Sequence, residues 1–212
     1  MKHPFFLGIL FFMLSFSLVA QQEQKKDALK LYNSGNYSES ISVCRAEIEE
    51  NNKNLDSYVV LCWALVKNGQ YREAEYWGTE ARKISRYDHR IIEILGEAKY
   101  YLGNNDAALP LFQEYVSLVS PGIGSRYAAS YYFMGEIFIR EARYNHADIA
   151  LTTAVTYDNM NDVWWTRLGY AREMSRNYEG AEEAYNHALH LNPSQNDAIN
   201  GVERVSNHIK RY

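Results

Sequence analysis

Tyr37, Tyr71, Asn105, Tyr144 and Tyr178 follow one another at intervals of 34, 34, 39 and 34 residues. A turn-forming pair stands directly before each: Gly35-Asn36, Gly69-Gln70, Gly103-Asn104, Ala142-Arg143 and Arg176-Asn177. Three residues after each marker comes a small side chain, Ser40, Ala74, Ala108, Ala147 or Ala181. A fixed period of this length belongs to a supersecondary unit that cannot bury its apolar face alone and so stacks on copies of itself. The period therefore selects a solenoid over a domain built around one central core. It also favours an extended surface over a closed pocket, and with it binding over catalysis.

Within each unit the apolar residues keep helical spacing on both sides of the turn. In the second unit Tyr58, Leu61, Cys62 and Leu65 share one face, and Ala74, Gly78 and Ala81 share a face of the helix that follows. The third unit gives Ile92, Leu95 and Gly96, then Ala108, Phe112 and Tyr115. The fourth gives Tyr131, Met134, Gly135 and Phe138, then Ala147, Leu151 and Ala154. The fifth gives Trp165, Leu168 and Gly169, then Ala181, Tyr185 and Ala188, and closes with Pro193. Small residues at crossing points let two helices approach, while large ones fill the gaps around them.

These residues resemble the tetratricopeptide repeat family, whose pattern is W-x2-L-G-x2-Y…A-x3-F…A…P at a period of 34. The fifth unit carries it most fully, with Trp165-x2-Leu168-Gly169, then Ala181-x3-Tyr185-x2-Ala188 and Pro193. The resemblance covers residues 21–194 and implies an all-α, right-handed α-solenoid. Its five helix-turn-helix repeats fall at 21–54, 55–88, 89–124, 125–161 and 162–194. Lys99 and Arg172 stand where the family usually has an aromatic residue, and Gln24 and Asp27 are polar where large apolar residues are expected. A polar first helix suits the exposed end of an array. Beyond Pro193, Ala198, Ile199, Val202, Val205 and Ile209 form one stripe, so residues 195–212 read as a capping helix. The single longer interval arises at Ser120-Pro121-Gly122-Ile123-Gly124. Proline and two glycines there stop a helix and allow a changed exit direction, which predicts a kink or hinge between the third and fourth repeats.

The N-terminus reads as a processing signal over residues 1–20. Lys2 precedes an apolar run from Phe5 to Val19, and Ala20 leads into the polar stretch Gln21-Gln22-Glu23-Gln24. The run is short for a span of ~20 residues, so cleavage near Ala20 is expected, with a retained anchor as the alternative. Cleavage predicts a periplasmic protein. The whole chain carries 22 basic against 26 acidic residues, a net charge of −4, with no basic stripe along it. That balance argues against a nucleic-acid partner. Cys44 and Cys62 are the only cysteines. They read as two separately buried small side chains, with a disulfide between neighbouring helices as the alternative that export would permit.

The sequence holds no H-E-x-x-H, G-x-S-x-G or phosphate-loop motif. His187 and His190, with Glu183 one turn earlier, lack a fixed further ligand and read as exposed polar residues of an outer helix. No enzyme activity, metal or cofactor is therefore expected. In the resembled family the first helices of successive repeats line a concave wall. Here that face carries Val59, Trp63 and Val66, then Glu93, Glu97, Tyr100 and Tyr101. It continues with Tyr132, Glu136 and Arg140, then Thr166, Tyr170 and Met174. Aromatic anchors with a few charges suit a protein or peptide interface. Some cytosolic members of the family capture a C-terminal carboxylate with lysines and asparagines. This face offers acids and tyrosines instead, so that mode is not expected. The sequence thus predicts a non-catalytic scaffold or adaptor in an envelope or motor assembly. The alternatives are a small-ligand or lipid carrier serving a transporter, and a regulatory subunit of an envelope enzyme.

Overall fold

The computed structural model describes residues 26–121 and 126–209, and no strand occurs among them. The helices are α1 (Ala28–Asn33), α2 (Tyr37–Glu50), α3 (Leu55–Lys67), α4 (Tyr71–Ile84), α5 (His89–Tyr101), α6 (Asn105–Leu118), α7 (Tyr127–Arg140), α8 (Tyr144–Tyr157), α9 (Asp162–Met174), α10 (Tyr178–Leu191) and α11 (Asn196–Ile209). One helix pair falls inside each of the five repeat segments, and α11 follows them. The proposed signal segment at 1–20 and Gln24 lie outside the described residues, as do Gly122 to Gly124 of the long interval. No described helix is long and apolar enough to cross a membrane.

Each periodic marker is the first residue of a second helix, which explains why the marker and its turn recur together. The turn closes in the same way five times. In the second repeat Gly69 N–H donates to the Val66 carbonyl and Gln70 N–H to the Leu65 carbonyl. This is the paired bonding that satisfies the last carbonyls of a helix and needs a left-handed residue just after it. Gly35, Gly69 and Gly103 supply that residue at φ of 75–80°. Ala142 and Arg176 supply it at φ 55° and 67°, despite their Cβ atoms. The bonds persist there, with Arg143 N–H on the Phe138 carbonyl at 2.8 Å and Asn177 N–H on the Arg172 carbonyl at 2.9 Å.

The small residues three places into the second helices are all buried. Opposite them, Gly135 and Gly169 set the approach of the paired helices. A Cβ on Gly135 would lie 2.5 Å from the Leu151 side chain, and one on Gly169 would lie 2.6 Å from the Tyr185 ring. At the N-terminal end, Asp27 is polar because it caps α1, its side chain accepting from Lys30 N–H at 3.0 Å. At the other end α11 packs on α10 through Ala198, Gly201 and Val205, with Ile199 turned outward. Gly201 was not part of the expected stripe. It is there because the Tyr185 ring occupies the space of a side chain.

Lys99 and Arg172 have a shared explanation. Lys99 pairs with Glu75 on α4, and Arg172 Nε donates to Asp148 on α8 at 3.0 Å. Both cations occupy the same helical position, and both acids lie 24 residues earlier. In the second repeat the equivalent pair is Leu65 with Ile41, and in the fourth it is Phe138 with Leu109; each pair shares one apolar cluster. One contact between successive repeats thus alternates between apolar and ionic along the array.

The curvature follows from which helices touch. The first helices α1, α3, α5, α7, α9 and α11 each contact the next, whereas among the described residues no second helix contacts the second helix of a neighbouring repeat. Helices that touch along a bent stack lie on its inner wall, and those that fan apart lie outside. The long interval leaves the stack continuous, since α7 packs on both α5 and α6.

Both cysteines are free thiols and fully buried, with Cys62 Sγ 3.8 Å from the Ala74 carbonyl. Burial pushes the Cys44 thiol up to about 12, and complete burial raises Cys62 as well. Neither has the exposed, electropositive surroundings of a reactive thiolate.

Candidate partner-binding groove

The inner wall is the face where α1, α3, α5, α7 and α9 meet. Its charged side chains form ion pairs from one first helix to the next. Arg126, at the start of α7, donates through Nε to Glu93 at 2.9 Å and through Nη2 to Glu97 at 2.5 Å, both on α5. Arg167 on α9 donates to Glu136 on α7 at 2.5 Å. Arg204 on α11 grips Glu173 on α9 with two bonds of 2.7 and 2.8 Å, and the Tyr185 hydroxyl donates to the same carboxylate.

These pairs share a polarity. The acid is always the inner partner: side-chain exposure is 2% and 5% for Glu93 and Glu97 against 37% for Arg126. It is 11% for Glu136 against 31% for Arg167, and 14% for Glu173 against 49% for Arg204. Two buried carboxylates share the single guanidinium of Arg126. Desolvation, opposed by Arg126 and reinforced by Glu97, raises the Glu93 carboxyl to about 7. Arg204 and the Tyr185 hydroxyl instead hold Glu173 below its ordinary range, against its desolvation.

Aromatic rings complete the wall. Trp63 lies against Tyr32 with centroids 5.8 Å apart, Tyr101 stacks on Tyr71 at 4.6 Å, and Tyr132 stacks on Trp164 at 5.2 Å. A cavity of about 190 Å³ opens between Tyr32, Trp63, Val66 and Ile94, with Lys67, Glu93, Glu97 and Arg126 at its edge. A second, of about 380 Å³, lies among Thr166, Arg167, Tyr170, Tyr185, Asp197 and Arg204. On the outer side, His187 packs its ring on Trp165 at 3.9 Å.

No protein-family model matches the sequence, and no curated protein matches it. Solved structures do. One is YrrB, described as a TPR protein with an unusual peptide-binding site. It superposes with a TM-score of 0.67 at 17% identity, over 83% of this chain and 88% of that one. A second is a thermophilic TPR protein of Thermus thermophilus, with a TM-score of 0.60 at 17% identity over 84% and 94% of the two chains. The chain has the tetratricopeptide-repeat fold. MamA from Desulfovibrio magneticus RS-1 matches it too, with a TM-score of 0.68 at 17% identity over 79% of this chain and 92% of that one.

Within this tetratricopeptide-repeat array the expected groove residues divide into two groups. Tyr101, Arg140 and Met174 are exposed, and Trp63, Tyr132 and Tyr170 are half-buried. Val59, Val66, Glu97, Tyr100 and Glu136 are buried between helices, as are Glu93 and Thr166. The expected acidic groove is therefore corrected. Glu93, Glu97 and Glu136 are present on that face, but neighbouring arginines cover them, and the accessible charge beside them is basic.

Three cations of the wall, Lys67, Arg126 and Arg167, are absent from the groove expected from the sequence, as are the rings of Tyr32, Tyr71 and Trp164. Lys67 is the last residue of its first helix, as Tyr101, Arg140 and Met174 are of theirs, so register alone places it there. Arg167 occupies a position that is Val60, Ile94 and Phe133 in the second to fourth repeats and Lys26 in the first, so a cation following three apolar equivalents is a readable signal. Arg126 lies just after the irregular stretch; counted back from Tyr144 its equivalents are Lys53, Tyr87 and Met160, which precede their first helices and mark no groove position.

Proposed function

We propose that this protein is a non-catalytic scaffold that binds a partner protein or peptide along the inner wall of its repeat array. The observation that carries this reading is the wall itself. Successive first helices present exposed Tyr101, Arg140 and Met174 beside half-buried Trp63, Tyr132 and Tyr170 along one continuous concave face. Rings held by packing, with charges at their edge, offer large contact area at low entropic cost. The peptide-binding site named for YrrB, a protein of the same fold, supports the same use of the array. The N-terminal apolar run followed by Ala20 supports export and cleavage, so we place the mature scaffold in the periplasm, within an envelope or motor assembly.

Native purification from the source organism, followed by intact mass spectrometry, tests both parts. The reading predicts a mature chain beginning near Gln21 and a co-purifying polypeptide that Tyr101→Ala with Met174→Ala releases. A stoichiometric small-molecule adduct without a polypeptide would overturn it in favour of a carrier.

A further inference from the structure

The polarity of the inner wall narrows the kind of partner it can take. The chain as a whole is acidic, with a net charge of −4. Yet from the C-terminal end of α3 to α9 the accessible cations on the wall are Lys67, Arg126, Arg140 and Arg167, while Glu93, Glu97 and Glu136 lie beneath. Lys67 is exposed at the edge of the Trp63 cavity and makes no ion pair among the described residues. Arg140 is exposed and makes no ion pair among the described residues. Its guanidinium sits 4.0 Å from the Tyr100 ring centroid, and Nη1 donates to the Tyr100 carbonyl at 3.4 Å and to Asn105 Oδ1 at 3.2 Å. Arg167 gives one N–H to Glu136, and Arg126 gives two to its glutamates, which leaves donors on both for an incoming acceptor. The buried acids hold these guanidiniums in place, so little rotamer entropy remains to be lost when an anion docks. Accessible acids lie toward the ends, with Asp56 at the α3 start bound to Arg90, and Asp197 on α11.

We propose that the groove takes an extended acidic segment of a partner polypeptide, an inference that rests on the inner wall being the binding surface. Carboxylate side chains of the segment meet Lys67 and Arg140, with Arg126 and Arg167 alongside. Adjacent first helices pack about 8–10 Å apart, so α3 to α7 spans on the order of 16–20 Å, which about five or six extended residues cover. Beside Lys67, the cavity between Tyr32, Trp63, Val66 and Ile94 has room for one apolar side chain at about 190 Å³. The socket suits an apolar side chain, and the chain's net charge of −4 favours a polypeptide over a nucleic acid. The arrangement uses single cations at the ends of α3 and α7 and arginines propped by glutamates.

A random 12-residue peptide library, displayed on phage and selected against the folded protein, tests this directly. The expected winners carry several Asp or Glu and one large apolar residue. A synthetic winner should lose at least about tenfold in affinity when Lys67→Gln and Arg140→Gln are combined, and lose affinity steeply with added salt. Neither side chain makes an ion pair among the described residues, and Arg140→Gln gives up one cation–π contact and two long hydrogen bonds, so the double variant should stay folded with a modestly lower melting temperature. Arg72→Gln, at an exposed residue of outer helix α4, should leave binding unchanged. Selection of basic or uncharged winners, or affinity indifferent to the double variant, would overturn the acidic-segment inference while leaving the groove as a binding surface. Failure to enrich any peptide, or preferential binding of a labelled single-stranded oligonucleotide, would overturn both.

Discussion

Ala142 and Arg176 hold left-handed backbone that glycine holds in the first three repeats. For a residue with a Cβ that conformation costs roughly 1–2 kcal/mol, partly offset by its smaller loss of freedom on folding. Ala142→Gly and Arg176→Gly should therefore each raise stability, by up to about 1 kcal/mol in denaturant unfolding. A loss at both positions would show that the turn is not under strain. Glu93 offers a second test, through pH. Its folded-state carboxyl titrates near 7, above its ordinary 4.5, because it is buried beside Glu97 with only Arg126, and more distantly Lys67, to offset the charge. Its contribution is therefore fully present below about pH 4.5 and is lost as pH rises through about 7. Glu93→Gln should flatten the decline in stability between those pH values, a difference on the order of 1–3 kcal/mol at pH 8. Parallel pH profiles for the two proteins would refute that account.

Among the elements, the alternating contact between repeats makes the sharpest prediction. Lys99→Leu alone strands Glu75 against a partly buried apolar neighbour, and Glu75→Ile alone strands Lys99. The double substitution recreates the pair found as Leu65 and Ile41. A double-mutant cycle should give a coupling of about 0.5–3 kcal/mol, with the double variant more stable than either single one. Additive losses would mean that the two side chains act independently. This contact also shows what could be read from the sequence. The period placed the helix starts, the turns and the small buried residues, because each recurs at a fixed offset from its marker. Lys99 and Arg172 stood out as departures, but their acids sit on the preceding repeat, and only the stacked helices bring them together. The groove was legible as a set of positions, not as a charge. Glu97 and Glu136 share a helical face with Trp63 and Tyr170, and nothing in spacing reveals that Arg126 and Arg167 cover them.

At the scale of the molecule, a bent stack divides the chain into an inner wall of touching helices and an outer wall of separated ones. The terminal elements close it: Asp27 caps a short first helix, and Gly201 lets α11 settle on the Tyr185 ring. The concave face combines rings held by packing with cations that keep donors for an anion. A photo-crosslinking amino acid placed at Tyr101 or Tyr170 on the inner wall, and at Tyr76 on outer helix α4, tests this division in the source organism. The account predicts a discrete protein adduct from the two inner positions and none from Tyr76. An adduct from Tyr76 alone would contradict it.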